Sequence, residues 1–68
     1  MDLTDDQKHL IDLLYDMKFE PDIILELISK IKDKENLGNL LSEIEIFKDK
    51  TDEQSRSKVT LILEKYSS

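Results

Sequence analysis

The sequence predicts an all-α fold, a small bundle of four short helices, and three observations carry that prediction. Leucine and isoleucine recur at the three-and-four spacing of amphipathic helices in four successive segments. The segments are parted by short polar or proline-bearing breaks, and Thr4 with Gln7 and Thr51 with Gln54 each offer a capping box at a helix start. Hydrophobic residues make up 38% of the chain and charged residues another 38%, which is apolar enough for a core and unlike a disordered acidic tail. At 68 residues the chain reads as a single helical domain, 1–68.

The first helix is expected over residues 5–18, capped by Thr4, with Leu10, Leu13, Leu14 and Met17 as its buried stripe. Asp5 and Asp6 sit in its first turn, where the helix dipole favours negative charge. It must stop before Pro21, because proline disfavours helical geometry in the preceding residue while suiting the first position of a new helix. Phe19 therefore falls in a tight corner.

The second helix, residues 21–32, carries Ile23, Ile24, Leu25, Leu27, Ile28 and Ile31, an apolar arc wider than half its circumference. One neighbour cannot cover such an arc, so this helix is expected at the centre of the bundle, the alternative being that part of it faces a second chain. After a polar turn over 33–36, Asn36 is the expected cap of a third helix over 37–48, with Leu37, Leu40, Leu41, Ile44 and Phe47 on its core face and Ile46 pointing away. Gly38 near its start predicts close packing or local mobility. The fourth helix, 52–66, is polar for two turns that are expected to stand clear of the core, then presents Val59, Ile62, Leu63 and Tyr66; Leu61 lies off that stripe. The two Thr-x-x-Gln motifs are followed by unlike residues and do not mark a repeat.

Met17-Lys18-Phe19, placed between two leucine-rich helices, resembles the Met-Gly-Phe loop of ubiquitin-associated domains, with lysine where that loop has glycine. The resemblance covers three residues, the fourth helix has no counterpart in that three-helix fold, and no ubiquitin-binding residue is carried over.

Residues 1–26 carry the whole net charge of −6, with eight acids against two lysines, while the remainder balances. Such acidity repels nucleic acid and anionic membrane surfaces, whose recognition draws on clustered lysine and arginine, and it suits basic protein surfaces. A helix-turn-helix role for the second and third helices is disfavoured on the same ground: Glu43 and Glu45 lie on the outward side of the third helix and its lysines gather only at Lys48 and Lys50. No apolar run approaches the roughly 18 residues of a membrane span, and the N-terminus lacks the regions of a signal peptide, so a cytoplasmic location is expected. The absence of alanine, the single arginine and the plentiful lysine and isoleucine fit an AT-rich bacterial or phage genome.

Chemistry is thinly supplied. There is no cysteine, and one glycine cannot build a phosphate cradle or a dinucleotide fingerprint. His9 lies three or four residues from Asp5 and Asp12 on one helix face, a pattern that reads as solvated charge and not as a metal site. Glu26 and Glu43 are the acids least plainly on polar faces, but nothing pairs them in a cleft. No catalytic, cofactor or metal site is therefore assigned, and no enzyme activity.

What the residues do supply is recognition. Asp5, Asp12 and Asp16, with Asp2 near the entry, project opposite the apolar stripe of the first helix, spaced about 5–6 Å per four residues like neighbouring phosphates on a nucleic-acid strand. The expected function is a small acidic regulator that binds another protein, a basic or DNA-binding one, as an antirepressor or inhibitor does. In that reading the acids steer and Leu25, Ile46 and Leu61 hold. The alternatives are a homodimeric structural module built on the broad face of the second helix, or an immunity or antitoxin type of protein.

Overall fold

The computed structural model describes residues 3–67, as four α-helices and one 3₁₀ turn: α1 (Asp5–Asp16), α2 (Pro21–Lys30), α3 (Lys34–Ile44) running into the 3₁₀ turn Glu45–Phe47, and α4 (Glu53–Ser67). No strand occurs among the described residues, so the all-α bundle expected from periodicity is the fold. The principal helix contacts close a ring, α1 on α2, α2 on α4, α4 on α3 and α3 on α1. Its radius of gyration, 10.8 Å, matches the roughly 11 Å of a folded chain this long.

The core fills the centre of that ring. Leu10, Leu13, Leu14 and Met17 enter it from the first helix and its end, Ile24 and Ile28 from α2 and Ile31 from just past its end, Leu37, Leu40, Leu41 and Ile44 from α3, and Val59 and Leu63 from α4, with Phe19 closing one corner. A ring leaves no helix enclosed. The expectation that the second helix is central fails for this reason: Ile23 remains 43% and Leu25 64% exposed.

Local chemistry explains the boundaries. The Thr4 capping box forms as expected, with the Gln7 N–H donating to Thr4 Oγ1 at 3.2 Å and the Thr4 N–H to Gln7 Oε1 at 2.9 Å. α1 ends two residues earlier than its expected limit, in a Schellman turn: the N–H of Phe19 donates to the Leu14 carbonyl and that of Lys18 to the Tyr15 carbonyl, with Lys18 left-handed at φ 70. Pro21 opens α2 behind an extended Glu20. That helix also stops two residues short, because Ile31 leaves helical geometry at φ −99, ψ 84 and turns into the core.

Five further expectations are corrected. Asn36 is not the cap of the third helix; the ladder starts a turn earlier, the Leu37 N–H donating to the Asp33 carbonyl at 2.9 Å, since Lys34 and Glu35 are good helix formers and Leu37 must already be in register to be buried. The α-helical part ends at Ile44, and the tighter 3₁₀ turn that follows leaves Phe47 half-buried and Ile46 outside. The cap of the fourth helix is Asp52 and not Thr51: its Oδ2 accepts from the Ser55 N–H at 2.9 Å. The leading half of α4 does not stand clear either, because Ser55 is buried and Arg56 half-buried against the α1–α2 corner. Gly38 is not closely packed: a Cβ built there meets nothing within 4 Å.

Candidate interaction surface

The capping box sets the phase of α1 from its first turn, and the burial of Leu10, Leu13 and Leu14 then forces the residues between them outward. Asp5, Asp12 and Asp16 are all exposed, and together with Lys8 and His9 they line one shallow depression of about 430 Å³. Leu13 forms its inner edge, and Lys48, from the turn after α3, its far wall. The acidic row thus runs along α1 facing the turn at Lys48. Asp2, expected near its entry, lies outside the described residues.

Lys8 and Lys48 line the same depression as this row without an ion pair to it. Among the described residues the ion pairs are Glu26 with Lys30 at 3.0 Å and Glu43 with Lys65 at 3.5 Å, and none of the three aspartates takes part. His9 is exposed beside them, and no group of three or more histidine, aspartate or glutamate side chains among the described residues is arranged to hold a metal ion.

The apolar candidates are not brought together. Leu25 on α2, Ile46 in the 3₁₀ turn and Leu61 on α4 are 64%, 71% and 66% exposed. They stand on three different elements, and none borders the acidic depression. The apolar surface that is gathered lies elsewhere, in a groove of about 220 Å³ between α2 and α4, whose floor holds Phe19, Ile23, Leu27 and Leu63 and whose edges hold Glu26, Lys30 and Glu64. Sequence reasoning missed it, although the excess of apolar positions on the second helix was its signal.

The two acids singled out as least plainly exposed have structural uses. Glu26 pairs with Lys30 one turn on. Glu43 accepts from the Tyr66 hydroxyl and from Lys65, tying the end of α4 to α3. The hydrogen bond from Tyr66, reinforced by the charge of Lys65, holds the Glu43 carboxyl below its ordinary range, and the same bond pushes the Tyr66 hydroxyl up. Asp52 is likewise lowered, by the Ser55 N–H it caps.

No family model, curated protein or solved structure matches this chain. No helix among the described residues is long and apolar enough to cross a membrane.

Proposed function

We propose that this chain is a small acidic regulator, cytoplasmic and of bacterial or phage origin, that binds a basic or DNA-binding protein and modulates it without turnover. The observation that carries the reading is the flank of α1, where Asp5, Asp12 and Asp16 share one depression and make no ion pair with another described residue. Three carboxylates on one helix face, about 5–6 Å apart per turn, offer a cationic groove the charge pattern of a nucleic-acid strand. Their field steers encounter before any contact forms, so they act mainly on the association rate and its salt dependence.

The test uses the chain as bait against a lysate, beside a variant carrying Asp5→Lys, Asp12→Lys and Asp16→Lys, followed by binding kinetics with each basic protein captured. The proposal expects at least one DNA-binding protein to be lost from the variant, with association slowed and less salt-sensitive. Identical captures from both baits would reduce the row to a solubilising surface.

A second reading has one specific support, the exposure of Ile23 and Leu25 on α2, which a homodimer would cover. A melting temperature that rises with chain concentration, together with sedimentation as a dimer, would favour it over the monomeric regulator.

A further inference from the structure

Most of the exposed apolar side chains stand singly, as is ordinary for a small domain. Ile23 does not. With half-buried Leu27 it forms the open floor of the groove between α2 and α4, backed by buried Phe19 and Leu63, and the banks carry Glu26 and Lys30 on α2 and Glu64 on α4. Lys30 holds Glu26 at 3.0 Å, whereas Glu64 makes no ion pair with another described residue. The floor is braced from behind: the Arg56 guanidinium lies 5.3 Å from the centre of the Phe19 ring and donates to the Lys18 carbonyl. Phe19 is fixed before any partner arrives, which lowers the ordering cost of binding.

We propose that this groove docks an amphipathic helix of a cationic partner, its aliphatic stripe on Ile23 and Leu27 and its lysines or arginines along the banks facing Glu26 and Glu64. It rests on the reading of the chain as a binder of basic proteins, and it gives the apolar part of that contact an address that Leu25, Ile46 and Leu61 do not supply. Size and shape select a helix. The groove runs from Ile23 to Lys30 on one bank and from Thr60 to Ser67 on the other, about 10 Å at the helical rise, enough for side chains at i, i+4 and i+7 of a guest helix. At about 220 Å³ it falls below the roughly 300–1,000 Å³ of small-molecule pockets. Charge selects the partner's sign: Glu64 on the α4 bank makes no ion pair with another described residue, and a second copy would bring another net charge of −6.

The probe is a fluorescein-labelled helical peptide of four turns, about 14 residues, with leucine at i, i+3, i+4 and i+7 and lysine elsewhere. One control replaces every lysine by glutamate, and a second scrambles the leucine and lysine order. Binding is read on the full chain by anisotropy and by amide shifts in ¹⁵N-labelled protein. The lysine peptide should bind best and shift Phe19, Ile23, Leu27, Thr60 and Leu63. Ile23→Asp, at a position exposed enough to leave the fold intact, should weaken it by about tenfold or more, and Glu64→Lys should weaken it and flatten its salt dependence. Shifts confined to Asp5, Asp12 and Asp16, with Ile23→Asp binding as the parent does, would overturn the groove and leave the acidic row standing. Equal binding of the glutamate or scrambled peptide would overturn it too, as would a dimer that Ile23→Asp dissociates. Loss of both readings has its own signature, in which no basic peptide binds and the triple lysine bait captures what the parent captures.

Discussion

Arg56, the only arginine in the chain, donates from Nη2 to the carbonyl of Lys18 at 3.2 Å, joining α4 to the α1–α2 corner across 38 residues of sequence. The same guanidinium covers the Phe19 ring, and its Nε is buried without a partner among the described residues. One side chain thus closes the bundle where two helices meet a third.

Removing that side chain tests the closure. Arg56→Ala should destabilise the chain by about 1–2 kcal/mol, the sum of one hydrogen bond and one cation–π contact. Arg56→Met should cost less, because it keeps the stem over Phe19 and removes the unpartnered Nε. Urea titration of both variants reads the difference, and a neutral Arg56→Ala would show the corner to be held by Phe19 alone.

Glycine is in one place where it is not needed and missing from one where it is. Lys18 sits at φ 70, a conformation that costs an L-residue about 1–2 kcal/mol, whereas Gly38 lies inside α3 with open space where a Cβ would go. Lys18→Gly and Gly38→Ala should each stabilise the fold, by up to about 1 kcal/mol apiece, raising the melting temperature by about 4–8 °C per kcal/mol. Asp49, left-handed at φ 65, should gain less from glycine, since aspartate tolerates that region. A drop in melting temperature for Lys18→Gly would show that the Lys18 side chain holds the corner in its own right.

The Glu43–Tyr66 bond makes stability depend on pH at both ends. Glu43 titrates below its ordinary value of 4.5 in the folded chain, so its contribution is present above that value and is lost as pH falls through the folded one. Tyr66 titrates above its ordinary 10.0, so its contribution is present below pH 10 and is lost as pH rises through the folded value. Tyr66→Phe should therefore be less stable than the parent near neutrality, with the gap narrowing below about pH 4.5 and again above about pH 10. Denaturation midpoints across that range check it, and a gap unchanged with pH would mean that the bond contributes nothing.

Capping variants separate the two helix starts. Thr4→Ala removes a formed capping box and should cost about 1 kcal/mol. Thr51→Ala should stay within the ±0.5 kcal/mol of ordinary surface changes, because Asp52 and not Thr51 accepts from the Ser55 N–H. Asp52→Ala should be the destabilising change at α4. Thermal melts of the three variants decide it, and a costly Thr51→Ala would restore the Thr-x-x-Gln box.

Much of the fold is legible in the residue order because it depends on neighbours within one or two turns. The four helices, the Thr4 box, the start at Pro21, the buried stripe of α1 and the outward turn of Asp5, Asp12 and Asp16 all follow from local periodicity and capping chemistry. The candidate acids could be identified one by one on the same ground.

Only the packed chain decides what those faces meet. Helical period gives the phase of a stripe and says nothing of the neighbour across from it. The ring order α1–α2–α4–α3, the inward turn of Ile31, the Arg56–Lys18 and Tyr66–Glu43 bonds and the groove under Ile23 could not be read from spacing. They join positions far apart in sequence, and their energies compete with local preference at helix ends, where a shift of one residue costs little. Sequence alone therefore determined a negatively flanked four-helix chain, and tertiary packing determined which apolar positions were buried and which were left open in a groove.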